Sequence, residues 1–577
     1  MMHSTIPVAQ SIVALCLSKN ITHVVISPGS RNAPLTIEFS EHPEITAYSI
    51  VDERCAAFVA LGMALKLRKP VAVLCTSGSA LLNYYPAVAE AFYSDIPLVI
   101  ISADRPIERI DIGDGQTIRQ KNVFENHILY SANLYSEAVP EQLPVDQKLQ
   151  QKQWESHRHN DQEINKALNT AIEKCGPVHI NVPFYEPLYD RTETLLLEPI
   201  EVLPDTVNRK PTKTELAPYI ETWKSANRKL VLIGVQTPHT ISQKYIQLFA
   251  EDESVIVMTE TTSNVHHPNF ISNIDSLIAP IEKQDDVAKW FGKLQPDVLL
   301  TFGGFIVSKK IKAFLRNFQP KHHWHVDSKK AYDTYFCLEK HFEYAADNFL
   351  NTFMLNYQPT TSEYFDFWDD VKNYRLTAQE QYAKTIPFSD FSVFQQFLPH
   401  LPQKCILHLG NSSTIRYAQL FKIDSSIAVY CNRGTSGIDG STSTGIGFSM
   451  VSEKQNILIT GDLSFFYDSN ALWNNYIPKS FRIIVVNNNG GGIFRILPGH
   501  KDSHNFSTYF ETTHSLSAKP LCELYGFEYT NAVDSNELSA QLKTFFNESD
   551  APKLLEICTP RTLNDNVLMD YFKALKS

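Results

Sequence analysis

The sequence lacks any apolar run long enough to cross a membrane. A membrane-spanning helix needs about 20 predominantly apolar residues in a row, whereas apolar segments such as residues 97–101 and 483–486 have only the length of a strand. Positive charge is also in short supply, because 52 Lys and Arg face 63 Asp and Glu and leave a formal net charge of −11. Coating nucleic acid requires a basic face. We therefore expect neither a membrane nor a nucleic acid as partner.

Paired cysteine motifs are absent as well. Nine cysteines are scattered along the chain, with no CxxC spacing, and several lie inside apolar runs, such as Cys75 and Cys558. This pattern is typical of small buried side chains in a reducing compartment and excludes a disulfide framework or a zinc knuckle. No basic segment precedes the first apolar residues, so residues 6–17 predict an amphipathic helix rather than an export signal. We expect a cytoplasmic protein.

Glycine is scarce, with 22 residues, about half the usual share. Ten of these fall between Gly434 and Gly499. Glycine lets the backbone approach a ligand closely or adopt a positive φ angle. The clustering indicates a backbone-lined site, which in an open α/β sheet belongs at the carboxyl ends of the strands.

Short β-branched runs alternate with longer helical patterns over nearly the full length. The apolar runs show no polar alternation, which is typical of parallel strands buried between two layers of helices. They fall into three groups, so we predict an α/β fold of three domains with mostly parallel, doubly wound sheets. Segments 186–212 and 356–388 lack a clear period and are interpreted as linkers. The predicted domains are residues 1–190, 205–355 and 385–577.

Two common phosphate-binding motifs are absent, because the sequence lacks residues that each of them requires. No GxGxxG follows a strand, and the spacing from Gly440 to Gly445 continues with Ile446 where a P-loop needs Lys. Better candidates are Asp462 and Asn488, which each follow a predicted strand and are separated by 25 residues, enough for one crossover helix between parallel neighbours. Such hard oxygen ligands suit Mg²⁺. The alternative is that both residues simply cap turns or helices.

The pair Gly461-Asp462, followed by Asn488, resembles the diphosphate-binding signature of thiamine diphosphate enzymes, which have three α/β domains. The resemblance implies thiamine diphosphate as cofactor, with Asp462, Asn488 and the carbonyl of Gly490 holding the Mg²⁺ or Mn²⁺ ion that clamps it. The first predicted domain would bind the pyrimidine and the last the diphosphate. Leu463 departs from the usual GDG form. Further cofactor contacts implied by the family are Gly437, Ile438, Leu463, Ser464, Gly491, Ile493 and Phe494.

The same resemblance requires a carboxylate that hydrogen-bonds the aminopyrimidine ring and helps its amino group take the C2 proton. Glu53, just after the predicted strand 48–51, occupies that place, and a helix of small residues follows. Taken alone, Glu53 would be a helix-start carboxylate favoured by the helix dipole. In the family the two halves of the site meet across a subunit interface, so the resemblance implies a homodimer or homotetramer.

Five further motifs narrow the resemblance to one branch of the family, the transferases of menaquinone biosynthesis. They occupy residues 27–34, 103–106, 115–120, 432–440 and 490–494, in the order typical of that branch. Its members decarboxylate 2-oxoglutarate and add the resulting succinic-semialdehyde carbanion equivalent to isochorismate. Both substrates are dianions, and guanidinium groups bind carboxylates in a bidentate way. Arginines in these motifs therefore make chemical sense in an acidic protein.

The resemblance assigns substrate contacts residue by residue. Those implied for the distal carboxylate of 2-oxoglutarate are Ser412, Arg416 and Arg433. Those implied for isochorismate are Ser30, Arg31, Arg105 and Gln116. Apolar surface that keeps the cofactor bent would come from Ile438, Ile493, Phe494 and Leu497. The alternatives are solvated surface charges for the arginines and ordinary core packing for the apolar residues.

Two positions depart from the branch. Its Lys-Arg pair of the middle domain is Lys309-Lys310 here, so Lys310, still a candidate contact, offers a point charge in place of a bidentate fork. Gly115 removes a possible side-chain contact next to Gln116. No His stands in the matched motifs, which leaves proton transfer to the cofactor amino group, substrate hydroxyls and water.

Two other functions stay open. One is a different thiamine carboligase or decarboxylase, such as an acetohydroxyacid synthase, although a small monoanionic 2-oxo acid would not need Arg31, Arg416 and Arg433. The other is a cofactor-binding regulatory protein, which has no reason to retain Glu53. The cluster of residues 322–325 holds three histidines without a carboxylate or cysteine at ligand spacing, and we interpret them as sheet-edge histidines rather than a metal site.

Overall fold

The computed structural model describes residues 1–137, 147–205, 209–496, 501, 503 and 505–576. The chain divides into two compact units. The first comprises Met1–Thr206, Asn432–Asn456 and Ser464–Phe481. The second comprises Val207–Cys431, Ile457–Leu463 and Arg482–Ser577. Within the described ranges, no helix is both long and apolar enough to span a bilayer.

The N-terminal part of the first unit is built on a six-stranded parallel sheet. Its strands are β2 (His23–Ile26), β3 (Thr46–Ser49), β4 (Val71–Cys75), β5 (Leu98–Asp104), β6 (Tyr130–Asn133) and β7 (Val178–Pro183). Two short strands, β1 (His3–Ser4) and β8 (Arg191–Thr192), form a separate antiparallel pair. The helices are α1 (Pro7–Ser18), α2 (Ala33–Glu41), α3 (Glu53–Leu67), α4 (Ser79–Asn83), α5 (Tyr85–Ser94) and α6 (Gln147–Lys174). The sheet order is β3-β2-β4-β5-β7-β6, and β1 pairs with β8. The predicted N-terminal helix is confirmed as α1.

A five-stranded parallel sheet follows in the second unit. Its strands are β9 (Lys229–Ile233), β10 (Val255–Thr259), β11 (Val298–Phe302), β12 (His322–Val326) and β13 (Lys340–Phe342). The helices are α7 (Lys213–Ser225), α8 (Gln243–Glu251), α9 (Ile274–Ile281), α10 (Val287–Leu294), α11 (Lys309–Asn317), α12 (Ala346–Phe353) and α13 (Glu363–Ala383). The order is β10-β9-β11-β12-β13.

The third sheet has six strands. They are β14 (Ile406–Leu409), β15 (Ala428–Tyr430), β16 (Asn456–Gly461), β17 (Arg482–Asn487), β18 (Glu528–Ala532) and β19 (Lys553–Cys558), in the order β15-β14-β16-β17-β19-β18. The helices of this part of the chain are α14 (Asp390–Phe397), α15 (Ser413–Ala418), α16 (Ser441–Met450), α17 (Asp462–Tyr467), α18 (Ile493–Ile496), α19 (Lys519–Tyr525), α20 (Ser535–Phe545) and α21 (Asn564–Ala574).

Central strands are buried on both faces. Every residue of β4, β9, β10, β11 and β17 is buried, as expected for apolar strands between helical layers. The predicted α/β fold with mostly parallel sheets is thereby confirmed. The domain boundaries at 1–190, 205–355 and 385–577 stay a prediction.

The segment 356–388 differs from the predicted linker, because most of it forms the 21-residue helix α13. Ser362 caps this helix by accepting a hydrogen bond from the backbone N–H of Tyr364 (3.2 Å). Its buried face combines apolar and polar side chains. They are Tyr364, Trp368, Arg375 and Gln379. Because polar residues occupy part of the buried face, the hydrophobic residues of this segment do not recur with the period of a helix.

Helices α3 and α16 of the first unit pack backbone against backbone. A Cβ atom on Gly62 would lie 2.1 Å from the carbonyl oxygen of Thr444, and one on Gly447 would lie 2.0 Å from that of Val59. Neither position accommodates a side chain, since real Cβ atoms do not approach other atoms so closely. The glycines therefore set how closely the two helices approach.

Asp468 is buried and ties the same two helices together. Its carboxylate accepts hydrogen bonds from the backbone N–H (2.7 Å) and hydroxyl (2.9 Å) of Ser443 and from the thiol of Cys55 (3.7 Å). Burial raises the pKa of Asp468 to about 6, while the bonds from Ser443 and the charge of Arg54 lower it. The first turn of α3, which begins at Glu53, is held in place by this contact.

Candidate active site

Asp462 and Asn488 lie at the carboxyl ends of two neighbouring strands. Strands β16 and β17 pair in parallel, with Gly461 opposite Val486. Asp462 then begins α17, Asn488 follows β17, and both side chains are almost fully buried. One carboxylate oxygen of Asp462 accepts a hydrogen bond from the backbone N–H of Gly490 (2.9 Å). The structure therefore brings the carboxylate and the turn after β17 together.

Asn488 is oriented by a buried carboxylate that the sequence analysis missed. Its Nδ2 donates to Asp390 (2.9 Å), the first residue of α14, and the hydroxyl of Thr559 donates to the other oxygen of Asp390 (2.6 Å). Burial raises the pKa of Asp390 to about 6 and the charge of Asp462 adds to the rise, while the two hydrogen bonds oppose it. The Oδ1 atom of Asn488 is buried and has no hydrogen-bond partner among the described residues.

The donor set at this place fits a divalent cation with a diphosphate. An unpartnered amide oxygen beside a carboxylate supplies the hard oxygen ligands that Mg²⁺ prefers. Gly490 has a φ of +149°, and a Cβ there would lie 2.7 Å from the carbonyl oxygen of Glu511, so the turn requires glycine. In the part of the chain that the structure describes, no three His, Cys, Asp or Glu side chains are grouped to hold a metal ion. A metal here would need the amide of Asn488 and a backbone oxygen.

His514 lies beside the same carboxylate, although it belongs to none of the motifs identified in the sequence. Its Nε2 is 3.2 Å from Oδ2 of Asp462. Sequence spacing gave no signal for it, because 52 positions separate the two residues and no known motif links them.

The candidate substrate contacts of the second unit include Ser412, Arg416 and Lys310. Ser412 precedes α15 with a φ of +67°, and Arg416 lies within that helix. Burial raises the pKa of Asp275, whereas the charges of Arg416 and Lys310 lower it, so both cations lie near this carboxylate. Lys310 also forms an ion pair with Glu282. Two of the predicted cations thus lie near one carboxylate.

The other cofactor candidates of the second unit are Leu463, Gly491, Ile493 and Phe494. Leu463 donates its backbone N–H to the side chain of Asp462 (2.7 Å). Ile493 and Phe494 begin the short helix α18, and the side chain of Phe494 remains 36% exposed. Leu497 lies outside the described residues.

Glu53 is the first residue of α3 in the first unit. Asp52 caps the helix by accepting a hydrogen bond from the backbone N–H of Cys55 (3.0 Å). Burial raises the pKa of the Cys75 thiol and of the Tyr84 hydroxyl, and the charge of Glu53 adds to both rises. The carboxylate therefore lies close to the carboxyl end of β4.

Arg31 is buried and lies near the end of β7. Its Nη1 donates to the carbonyl oxygen of Phe184 (3.2 Å), and its Nη2 pairs with the exposed carboxylate of Glu186 (3.0 Å). Its Nε is buried without a hydrogen-bond partner among the residues described. Burial raises the pKa of Asp104, and the charges of Arg105 and Arg31 lower it. Here too, a pair of predicted cations lies near one carboxylate.

Arg105 holds the loop that carries Gln116. Its Nε and Nη2 both donate to the carbonyl oxygen of Gly115, at 3.1 and 2.8 Å. Gln116 follows with a φ of +53°, and its carbonyl accepts a hydrogen bond from the hydroxyl of Ser77 (2.9 Å). Gly115 therefore contributes through its backbone. The side chains of Gln116 and Ser30 are exposed.

The glycine-rich segment 432–440 is anchored by Glu90 of α5, another residue that the sequence analysis missed. The buried carboxylate of Glu90 accepts hydrogen bonds from the backbone N–H groups of Gly434 (2.8 Å) and Thr435 (2.7 Å). The hydroxyl of Ser464 donates to the carbonyl of Ile438 (2.6 Å), whose side chain is 40% exposed. The same segment carries two further candidates, Arg433 and Gly437.

The histidines of β12 are part of the sheet interior. His323 and His325 both share hydrogen bonds with the hydroxyl of Thr301, at 3.1 and 2.8 Å. Burial lowers the pKa of each ring to about 4. The interpretation as sheet-edge histidines is wrong, because β12 lies between β11 and β13.

Three family models match successive parts of the chain. Residues 6–131 match the N-terminal TPP binding domain of thiamine pyrophosphate enzymes. Residues 208–409 match the middle domain of thiamine pyrophosphate enzymes, and residues 410–557 match their C-terminal TPP binding domain.

Curated relatives match along the full length. The chain is 62% identical over 577 residues to a protein of Christiangramia forsetii and 54% identical over 575 residues to one of Flavobacterium psychrophilum, with 100% of each chain covered. It is 38% identical over 582 residues to one of Phocaeicola vulgatus, with 98% of each covered. All three are named 2-succinyl-5-enolpyruvyl-6-hydroxy-3-cyclohexene-1-carboxylate synthase. The chain belongs to this family of synthases, within the thiamine pyrophosphate enzymes.

Proposed function

We propose that the chain is a thiamine diphosphate-dependent transferase of menaquinone biosynthesis. It decarboxylates 2-oxoglutarate and adds the succinic-semialdehyde carbanion equivalent to isochorismate, giving 2-succinyl-5-enolpyruvyl-6-hydroxy-3-cyclohexene-1-carboxylate. The observation that carries this proposal is the full-length identity to curated synthases of that name. The site around Asp462 and Asn488 supports the thiamine part independently.

The diphosphate end of the cofactor would be held by oxygen atoms of the second unit. Thiamine diphosphate, when bound, supplies a carbon nucleophile and an electron sink for the decarboxylation. Asp462, Asn488 and the carbonyl of Gly490 would hold the Mg²⁺ or Mn²⁺ ion. The buried Oδ1 of Asn488 supports this role, because an amide oxygen without a donor or a cation is costly to bury. Asp390 would keep that oxygen, rather than the amide nitrogen, toward the ion.

Glu53 would act at the aminopyrimidine end. Its carboxylate would hydrogen-bond the aminopyrimidine ring of the cofactor. This bond would favour the form of the ring whose amino group can take the C2 proton. The position of Glu53 supports this, since Asp52 and Asp468 fix the first turn of α3. The buried Tyr84 and Cys75 nearby indicate a poorly hydrated surrounding, which strengthens such a hydrogen bond.

Arginines would bind the carboxylates of two dianionic substrates. Those proposed for the distal carboxylate of 2-oxoglutarate, with a serine, are Ser412, Arg416 and Arg433. Those proposed for isochorismate are Ser30, Arg31, Arg105, Gln116 and Lys310. Arg31 supports the assignment, because its Nη2 pairs with an exposed Glu186 that a substrate carboxylate can replace. Its Nε is available for the second bond of a bidentate pair.

We further propose a homodimer or homotetramer whose active sites combine Glu53 of one protomer with Asp462 and Asn488 of another. The pyrimidine-binding domain would be residues 1–190, the middle domain 205–355 and the diphosphate-binding domain 385–577. A cytoplasmic location is supported by the cysteines, all nine of which are free thiols.

One assay tests the activity. Purified protein is mixed with Mg²⁺, thiamine diphosphate, 2-oxoglutarate and isochorismate, and the absorbance of isochorismate is followed. We expect its loss only when all components are present, with omission of each as the control. Consumption of pyruvate in place of 2-oxoglutarate would favour an acetohydroxyacid synthase. Cofactor binding without any turnover would favour a regulatory protein.

A further inference from the structure

The second unit contains a cavity of about 660 Å³, a volume typical of sites for small organic ligands. It is lined by the segment from the end of β10 into α9, by α13, by the end of α14 and by residues 420–425. None of the residues assigned above to cofactor or substrate lines it.

The lining is mainly apolar. Representative side chains are Phe270, Ile271, Leu277, Leu398, Leu420 and Phe421. The cations on the lining are Lys372, Arg375 and Lys422, and the carboxylates are Glu260 and Glu380. Glu260 is already committed, because its two oxygens accept hydrogen bonds from the backbone N–H groups of Val307 and Ser308, both at 2.7 Å. Of the charged groups that remain, one is the carboxylate of Glu380 and three are cations, so the net charge of the lining is positive.

Arg375 on α13 is almost fully buried, at 3% exposure. Its Nη1 donates to the carbonyl oxygens of Leu277 and Ser276 in α9. Residue 280 of that helix is proline, which has no N–H to offer the carbonyl of Ser276. One nitrogen of Arg375 therefore has a structural function, because it replaces a missing helix hydrogen bond.

The other edge of the guanidinium, formed by Nε and Nη2, makes no hydrogen bond within the described part of the chain. Nε and Nη2 of Arg375 are buried and have no hydrogen-bond partner among the described residues. Within the same residues no carboxylate forms an ion pair with Arg375, and the ionisable groups acting on it are the hydroxyls of Tyr571 and Tyr374. Burial lowers the pKa of Arg375 to about 10, so the group is still charged at neutral pH. An unpaired buried charge is strongly unfavourable.

We propose that this cavity binds a small organic monoanion, with its carboxylate paired to Arg375 and its apolar body against the surrounding side chains. Nε–H and Nη2–H lie on the same side of a guanidinium and form the parallel fork that matches a carboxylate. An inorganic anion would satisfy the fork but leave the apolar lining uncovered. Both nitrogens are buried, so we expect lining side chains to shift when the carboxylate enters.

The first test compares an acid with its neutral counterpart on the cofactor-loaded enzyme. We expect 4-phenylbutyrate to bind in calorimetry and to raise the melting temperature, and 4-phenylbutan-1-ol to bind at least about tenfold more weakly. Arg375→Met should remove this preference. Lys372→Met is the matched control on the same helix and should keep it, because Lys372 already pairs with Asp369 (2.5 Å). Arg375→Lys should retain part of the preference, since it keeps the charge but not the fork.

The second test locates the ligand and does not depend on any variant folding. A crystal of the wild-type enzyme soaked with 4-(4-bromophenyl)butyrate should show the anomalous bromine signal inside this cavity and the carboxylate on Arg375. The proposal is overturned if bromine is found only among the arginines of the candidate active site. It is equally overturned by equal affinity for acid and alcohol, by wild-type affinity in Arg375→Met, or by no binding of the acid at about 10 mM, where even a millimolar ligand fills most sites.

Discussion

An asparagine offers donors on one atom and an acceptor on the other, and its neighbours decide which of them faces a ligand. For Asn488 the neighbour is Asp390, whose ionised carboxylate can only accept. The sequence gives no hint of this contact, because Ser389-Asp390 has the form of an ordinary helix cap and Ser389 does cap α14. The two partners are 98 positions apart.

Asp390→Ala should weaken Mg²⁺ binding about ten- to a hundredfold, because Asn488 can then turn its amide nitrogen toward the site. Asp390→Asn should lose less Mg²⁺ affinity, since the oxygen of the new amide can accept the same hydrogen bond from Asn488 while the amide nitrogen faces Thr559. Titration of Mg²⁺ in the presence of thiamine diphosphate, by calorimetry, measures both effects. Ser392→Ala in the same helix is the control. Wild-type affinity in a correctly folded Asp390→Ala protein would contradict the role.

Glu53→Gln should lower the isochorismate-independent release of CO₂ from 2-oxoglutarate about 10²- to 10⁴-fold, because an amide cannot take part in the proton transfer. Binding of thiamine diphosphate with Mg²⁺ should survive, since Asp462 and Asn488 are untouched. CO₂ release and binding calorimetry on the same sample separate the two properties. Glu44→Gln, an exposed glutamate of the same unit, should change neither. Unchanged turnover would remove Glu53 from the mechanism.

At the scale of elements, the strands could be predicted and one long helix could not. Runs such as residues 483–486 are apolar throughout because both faces of the sheet are covered, and that property is visible in sequence. Helix α13 was not predicted, because two of its buried residues, Arg375 and Gln379, are polar and are buried through contacts with distant parts of the chain. Hydrophobic periodicity cannot anticipate such contacts.

The contact between α3 and α16 should respond to pH through Asp468. The unfolded chain ionises this carboxyl near its ordinary pKa of 3.8, whereas burial raises the folded pKa to about 6. The folded state therefore holds the proton more tightly. The protonated Asp468 contributes about 3 kcal/mol to the free energy of unfolding. This contribution is fully present below pH 4 and is lost as pH rises through about 6.

Asp468→Asn cannot ionise and should escape this loss. The melting temperature of the variant relative to wild type should therefore rise between pH 4 and pH 7. If the melting temperatures of the variant and of the wild type instead change with pH by the same amount over that range, Asp468 does not titrate as its burial implies. Asp366→Asn, in the second unit, is the control and should leave the pH dependence of melting unchanged.

At the scale of the whole molecule, a net charge of −11 opposes the approach of two dianionic substrates. Cations must therefore be concentrated locally. Arg31 and Arg105 lie near Asp104 in the first unit, and Arg416 and Lys310 lie near Asp275 in the second. Each protein carboxylate can hold its pair of cations in position before a substrate arrives. The family resemblance predicts these four cations, but the carboxylates beside them become visible only in the folded chain.

The proposed assembly makes two inactive variants able to restore each other. If a site needs Glu53 from one protomer and Asn488 from another, a heterodimer of Glu53→Gln and Asn488→Ala contains one site with both residues intact and one with neither. Random exchange of equal amounts makes half of the dimers mixed, so roughly a quarter of all sites recover. We expect about that fraction of wild-type activity after the variants are dissociated and reassociated together.

The control for this experiment is each variant carried through the same exchange alone, which should stay inactive. Distinct affinity tags on the two chains verify that mixed dimers have formed. If they have formed and the activity does not exceed the sum of the separate variants, Glu53 and Asn488 do not share a site across the interface. Recovery would show the opposite, because no single chain in the mixture carries both residues, and only a site built from two protomers can contain them.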